Sequence, residues 1–558
     1  MSYLQHRVRG LDFSVGRDIH WLIAAVFVAT LVVMPVIAVV DLAFNPTENI
    51  WPHLVDTVLG YYLFNTVVLM LGVGISVFLT GVTTAWLVTM CRFPGRQYFE
   101  WLLLLPLAMP AYVIAYMYTD LLEYAGPVQS LIRDLFGFSS SRDYWFPEIR
   151  NLGGAIMLMG LVLYPYVFLL ARAAFLEQSA AMLEASRILG RGPWKTFLYV
   201  SLPIARPSIA VGVALALMET LNDYGTVDFF AVRTLTAGIY DTWLGMGNLG
   251  GAAQIASLML VFVLVLIGIE RFGRRNLAYY QQGTHLLPLP TYTLTGVCRW
   301  IAIGACSLPV VAGFFIPLIV MSRYAIIYFN KSWTVDFRTY AFNSFFLSAL
   351  AAIVALAIAL LVAYARRLHR GSVTSVAARI ASLGYAVPGA VLAIGVIIPF
   401  ASLDNFIDSF MRKWFDVSTG LLLSGTIFAL VFAYVVRFLA VAVGQVESSL
   451  SKVSPSMDMA ARTLGYKPLE VLLKHHLPLI RGGMLTAALI VFVDSMKELP
   501  ATLILRPFNF STLATDVFQY ASDELIGESA LGSLTIVLVG LLPVILLSRT
   551  ISGSRKAP

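Results

Sequence analysis

The chain has 558 residues, of which 59% are hydrophobic and 12% charged, and its mean hydropathy is +0.81. That balance excludes a soluble globular protein and places the chain in a bilayer. The net charge of +7 gives no sign of nucleic-acid binding. Cys91, Cys298 and Cys306 lie in or beside apolar stretches without metal-site spacing, which argues against both a disulfide scaffold and a zinc site.

Apolar runs of about 20 residues can each cross roughly 30 Å of hydrocarbon as a helix. About twelve recur here. In the first half they fall near Trp21–Val40, Thr66–Met90, Glu100–Tyr118, Gly153–Ala173, Pro207–Thr226 and Ala252–Ile269. In the second half they fall near Ile301–Met321, Asn343–Ala365, Ile380–Ala401, Leu421–Ala442, Gly483–Met496 and Ala530–Leu547. The first run is too long for a signal peptide and lacks a small-residue cleavage site before Asp41, so a retained helix is expected. With the N-terminus inside, the inner segments carry 27 of the 38 Lys and Arg residues, among them Arg92, Arg96 and the group from Arg437 to Arg481. This bias predicts both termini on the cytoplasmic face of a multi-pass inner membrane protein.

The chain repeats itself at about half its length. Asn65-Thr66 opens the second span and Asn343-Ser344 the eighth; Pro110 and Pro388 share the same offset of 278. Further on, Glu184-Ala185-Ser186-Arg187-Ile188-Leu189-Gly190 aligns with Met459-Ala460-Ala461-Arg462-Thr463-Leu464-Gly465 at an offset of 275, and a Leu-Pro pair follows each glycine at equal distance, Leu202-Pro203 and Leu477-Pro478. Two parallel halves are expected, 1–270 and 300–558, joined by a cytoplasmic linker over 271–299. Each long inner loop reads as a short helix closed by Gly190 or Gly465, followed by a second helix opened at Pro193 or Pro468 and broken at the Leu-Pro pair. Such a hairpin on the inner membrane face suits docking.

These duplicated loops resemble the signature of bacterial ABC importer permeases, Glu-Ala-Ala, three residues, Gly, and a later Leu-Pro. The resemblance implies an all-α, polytopic membrane protein of two parallel six-helix repeats, the MetI-like fold. It also implies that Glu184, Ala185, Gly190 and Pro203, with Ala460, Ala461, Gly465 and Pro478, couple the chain to two ABC ATPase subunits. The second loop departs from the pattern at Met459; Asp458 stands one residue early, about 100° around a helix. Gly190-Arg191-Gly192-Pro193-Trp194-Lys195-Thr196 lacks the glycine directly before the lysine that a phosphate-cradling loop needs, so ATP hydrolysis is assigned to separate subunits and the chain to no enzyme class.

The fifth span holds Glu219 and Asp223, and the eleventh holds Asp494 and Glu498, pairwise equivalent at the offset of 275. A carboxylate inside the bilayer costs about 2.5–3.5 kcal/mol, so such groups face a polar cavity or a partner, for which Lys497 is the candidate. The four are expected either to form two facing acidic clusters on a cation pathway or to lock helices together by hydrogen bonds. Tyr112, Tyr116 and Tyr118 read as an interfacial belt rather than ion ligands, and His475-His476 as surface.

The wider sequence is most similar to ferric-iron importer permeases, densest in Leu105–Tyr112, Tyr144–Arg150, Leu163–Tyr166 and Glu219–Thr226. Alternating access is implied: a periplasmic binding protein delivers the substrate, ATPases act on the inner loops, and Fe3+ passes as cargo with no cofactor held by the chain. Hard Fe3+ prefers oxygen ligands, which carboxylates supply. Permeases for thiamine, polyamines, sulfate or phosphonates share the two-loop architecture. A secondary transporter would not need duplicated docking loops, and a membrane enzyme would need a cluster such as His-Glu-x-x-His, which is not found.

Overall fold

The computed structural model describes residues 19–274, 291–369 and 371–553. Out of water every backbone N–H and C=O must be paired within its own segment, which makes the long apolar runs helical. Among the described residues eleven helices are long and apolar enough to cross a membrane, and a bent pair supplies a twelfth span. In chain order the spans are Ile19–Phe44, Leu59–Met90, the bent pair, Leu152–Leu176, Leu202–Asn222, Leu249–Arg274, then Gly296–Val310 running on into Ile316–Ile327, Val335–Leu368, Gly389–Phe415, Ile427–Ser451, Leu477–Met496 and Ile526–Gly553. Much of the expected linker, 275–290, and the terminal basic residues Arg7, Arg9, Arg17, Arg555 and Lys556 lie outside the described residues. Within the described end of the expected linker, Tyr292–Thr293 pairs in parallel with Cys91–Arg92, a two-residue bridge to the first half.

The third span is not the straight helix expected over Glu100–Tyr118. It bends by 91° where Ala111–Phe136 follows Arg96–Ala108. Leu105–Ala108 tightens into a 3₁₀ turn, Met109 and Pro110 are extended, and the helix restarts at Ala111. Proline lacks the N–H that would continue the ladder, and it pushes the preceding residue out of the helical region. Pro388 does the same, so the expected Ile380–Ala401 is instead a 3₁₀ turn at Gly384–Ala386 and a helix from Gly389 to Phe415.

The repeated Asn-Thr and Asn-Ser pairs have one structural task. Asn65 Nδ2 donates to Arg233 O at 2.9 Å and Thr66 Oγ1 accepts from Leu235 N at 3.0 Å; Asn343 Nδ2 donates to Ser511 O at 3.1 Å and Ser344 Oγ accepts from Leu513 N at 2.7 Å. Each pair pins the segment that returns from a short helix at the end of the fifth or eleventh span. The halves also exchange their first helices: Ile19–Phe44 packs on Ser372–Ala381 and Gly389–Phe415, while the seventh span packs on spans of the first half. The crossing is close because Gly395 has no side chain; a Cβ there would collide with the backbone carbonyl of Pro35. Two buried apolar clusters result, each drawing residues from both halves.

The duplicated loops form the expected hairpins, Ala180–Ile188 with Pro193–Thr196 and Pro455–Thr463 with Pro468–Val471. The Leu-Pro pairs, expected to break the second helix, do not. Each follows one π-turn, Phe197–Ser201 or Leu472–His476, in which the N–H of Leu202 or Leu477 reaches back five residues, and the helix continues into the membrane. Proline sits there in the first turn of the onward helix, where its missing N–H costs little.

Candidate functional site

The duplicated loops stop their first helices identically. Gly190 has φ +74° and Gly465 φ +85°. Gly190 N donates to Arg187 O and Arg191 N to Ser186 O; Gly465 N donates to Arg462 O and Tyr466 N to Ala461 O. This paired closure of the last carbonyls is a Schellman motif. It leaves Ile188 and Leu189 exposed at 86% and 78%, and Leu464 at 77%. Glu184, Ala185 and Ala460 are exposed, Ala461 is buried, and Pro203 and Pro478 begin the onward helices.

Beneath that shared outline the loops differ. Asp458, turned away from the exposed Met459 position, accepts from Arg367 Nε at 2.8 Å and Nη2 at 3.2 Å and pairs with His476 Nε2 at 2.7 Å. Arg367 also donates to Leu450 O and Val453 O, tying the loop to the eighth span. Burial by itself would raise the Asp458 carboxyl, but the hydrogen bonds and charge of Arg367 and His476 prevail and hold it below the usual range. His476, expected at the surface, is fully buried, because its ring completes this triad and lies edge-on to Tyr364. The equivalent positions of the first loop hold Leu183 and Ser201. There Arg187 instead reaches the described end of the linker, donating to Thr291 O and lying over the Tyr292 ring at 4.3 Å.

The four intramembrane carboxylates divide into two kinds. The fifth span ends at Asn222, so Asp223, expected within it, lies beyond the helix, and its Oδ1 accepts from Thr226 N at 2.8 Å to open Gly225–Phe229. Glu498 does the same for Pro500–Leu505, with Oε1 accepting from Ala501 N at 3.0 Å and Oε2 from Thr502 N at 3.1 Å. Unpaired N–H groups at a helix start favour a carboxylate there. Glu219 accepts from Tyr385 Oη at 2.7 Å, and Asp494 pairs with Lys497 at 3.0 Å.

Arg437 joins the halves, donating from Nη1 to Glu498 at 3.1 Å and to Asn222 Oδ1 at 2.7 Å, with Glu219 at 3.9 Å. Gly389 N donates to the same Asn222 oxygen at 2.7 Å. The carboxylates therefore line one shared cavity with two cations and do not form two facing acidic clusters. That cavity measures about 90 Å³. A larger one of about 930 Å³ shares Leu107, Tyr166, Asp494 and Lys497 with it and runs between the halves to Arg271, Arg366 and Arg379. Tyr112, Tyr116 and Tyr118 form no interfacial belt; all three are buried, because the bend at Pro110 turns their helix into the bundle. Among the described residues no three His, Cys, Asp or Glu side chains converge as a metal centre.

Arg437, placed among the inner-loop cations by sequence, is buried within the tenth span. A single arginine inside an apolar run was the available signal. Asn222 lies inside the Glu219–Asp223 motif, and only the helix end there reveals its role; nothing local marks Tyr385.

The family model of the binding-protein-dependent transport system inner membrane component matches this chain twice, over residues 77–277 and 355–553. An Fe(3+)-transport system permease protein, FbpB 2, of Haemophilus influenzae is 27% identical over 87% of this chain and 89% of its own length. A ferric transport system permease protein, FbpB, of Actinobacillus pleuropneumoniae is 22% identical over 99% of this chain and 80% of its own. The molybdenum transport system permease protein ModB of Escherichia coli K12 is 28% identical over 35% of this chain and 84% of its own length. Two helical halves, two matched copies of one family model and a polar cavity between them make this chain a member of the inner membrane components of binding-protein-dependent transport systems, with both permease units in one polypeptide.

Proposed function

We propose that the chain is the translocation subunit of a ferric-iron importer of the bacterial inner membrane, with both termini cytoplasmic. A periplasmic binding protein delivers the ion, and two separate ATPase subunits seat on the hairpins closed by Gly190 and Gly465. The contacts are Glu184 and Ala185 in one loop and Ala460 in the other, with the buried Ala461 packed beneath that surface; Pro203 and Pro478 pass the motion into the fifth and eleventh spans. Glu219, Asp223, Asp494 and Glu498 belong to the route between the halves. The observation that carries the substrate is coverage. The relatives whose names specify Fe(3+) or ferric transport align along 87% and 99% of this chain, whereas the molybdenum permease aligns with 35%. The cavity chemistry supports the same reading, since four carboxylates face two cations that are already paired with them.

The test is uptake of radioactive ferric iron by proteoliposomes holding this chain with its ATPase and binding protein. ATP-dependent accumulation is expected. ATP-driven uptake of molybdate or sulfate without iron would replace the substrate, and uptake without any ATPase would remove the coupling mechanism.

A further inference from the structure

Each half sends its first helix across to the other, and the place where that helix starts lies beside a duplicated hairpin. Trp86, near the end of the second span, and Tyr364, near the end of the eighth, are equivalent at the offset of 278, and both are buried. Trp86 packs on Phe197 of the first π-turn with ring centroids 4.9 Å apart, and on Tyr292, just ahead of the seventh span, at 6.5 Å. Tyr364 packs on His476 of the second π-turn at 5.6 Å and on Trp21, in the first turn of the first span, at 5.1 Å. Its hydroxyl also donates to the carbonyl of Pro468, which opens the second helix of that hairpin, at 2.7 Å. One buried ring per half therefore touches two things at once: the π-turn by which its own hairpin enters the membrane, and the start of the other half's first helix.

More than ring contact holds these helix starts. Tyr292–Thr293 pairs with Cys91–Arg92, and Leu294 N donates to Arg92 O at 3.0 Å. Arg187 of the first hairpin lies over the Tyr292 ring and donates to Thr291 O. On the other side, Trp21 packs on a buried cluster of Ala25 and Ala29 from its own helix with Ala365 and Ala377 of the second half. Side chains packed this closely transmit a displacement instead of absorbing it. A hairpin that shifts must carry the crossed helix with it or break these contacts.

We propose that Trp86 with Tyr292, and Tyr364 with Trp21, are positioning residues that make the coupling crossed. Each hairpin moves as one body with the start of the opposite half's first helix, so a single ATPase subunit acts on both halves. The inference rests on the hairpins being the ATPase seats and adds what those seats pull. Through the π-turns each ATPase subunit holds the fifth or eleventh span of the half it sits on; through the buried rings it holds the seventh or first span of the other.

The test uses the whole transporter, this chain with its ATPase subunits and binding protein in proteoliposomes. Met182 and Met457 are equivalent, exposed hairpin positions, and Cys298 is exposed in the first turn of the seventh span while Cys91 and Cys306 are buried. Spin labels at Met182→Cys and Met457→Cys in a Cys298→Ser background read the distance between hairpins; labels at Met182→Cys and the native Cys298 read the distance from hairpin to crossed helix. A non-hydrolysable ATP analogue is expected to shift the first distance and leave the second unchanged. Tyr292→Ala and Trp21→Ala should each lower ferric iron moved per ATP about fivefold, the order expected from losing ring and cation–π contacts, with the ATPase subunits still bound and hydrolysing. Tyr292→Phe and Trp21→Phe, which keep a ring, should stay near wild type. In Tyr292→Ala the distance from Met182→Cys to Cys298 should now shift with nucleotide. A wild-type hairpin-to-helix distance that changes as much as the hairpin pair, a hairpin pair that does not move, or alanine variants that transport normally would each overturn crossed coupling. Loss of the ATPase subunits from the alanine variants would overturn it too, by making the rings part of the seat itself. A wild type that binds no ATPase subunit would overturn the docking reading and this inference with it.

Discussion

Asp458 shows what a displacement of one residue does to a side chain on a helix. At Met459 it would point outward as Glu184 does; one residue earlier it points inward and meets Arg367 and His476. Because its carboxyl titrates below the usual aspartate range, its contribution to the loop is complete above about pH 4 and is lost as pH falls through the lower folded value. Asp458→Asn should remove that pH dependence. At neutral pH it should also loosen Pro455–Thr463 by about 1–3 kcal/mol, the cost of leaving buried donors unpaired, which hydrogen exchange of that helix would measure. Ala180–Ile188 should be unaffected, since Leu183 stands at the matching position. The sequence placed Asp458 about 100° around the helix from Met459 but could not supply its partners, which come from 91 and 18 residues away. The carboxylates of the fifth and eleventh spans were legible as symmetric pairs for a different reason, because repetition preserves spacing. Their division into caps and cavity-facing groups was not legible, since it depends on the residue at which each helix stops.

At the scale of elements, Gly190 and Gly465 carry the two helix stops. Their positive φ is set by the Schellman closure, and a Cβ added at either would meet nothing within 4 Å. Alanine therefore acts through the backbone alone, at about 1–2 kcal/mol for a left-handed residue. Gly190→Ala or Gly465→Ala should lower solute moved per ATP hydrolysed, whereas Gly190→Asn, which tolerates that conformation, should retain more of it. Equal coupling in the alanine and asparagine variants would mean that the stop geometry is immaterial. The hairpins were readable because glycine and proline punctuate them at fixed spacing. The π-turns were not: a Leu-Pro pair after a short helix is compatible with a break or with a widened turn, and only the onward packing of Leu202–Asn222 and Leu477–Met496 favours continuity. The bend at Pro110 was missed because length and apolarity alone do not distinguish one straight span from two helices meeting at 91°.

For the whole molecule, the two cavities define which side is open. The small polar chamber meets the larger cavity at Tyr166, Asp494 and Lys497, and the larger one continues between Val211 and Leu215 of the first half and Ser382 and Leu383 of the second toward Arg366 and Arg379, the end that carries the duplicated loops. The two cavities together therefore reach the end that carries the duplicated loops, with the helix that starts at Ala111 lining the small chamber. Access can then be read chemically. Cys91 and Cys306 are buried and Cys298 is exposed, so Ser382→Cys in a Cys298→Ser background offers one reactive thiol on the cavity wall. In inverted membrane vesicles with ATPase bound and no nucleotide, a membrane-impermeant maleimide should label it, and in intact spheroplasts it should not. A non-hydrolysable ATP analogue together with loaded binding protein should lower labelling about tenfold, since closing one side requires a population shift of that order. Labelling from the outer face instead would reverse the orientation inferred from the basic residues. Labelling indifferent to nucleotide would mean that the halves do not alternate about the Arg437 junction, because that junction, with Asn222 and Gly389 on either side, is where any change of access has to pass.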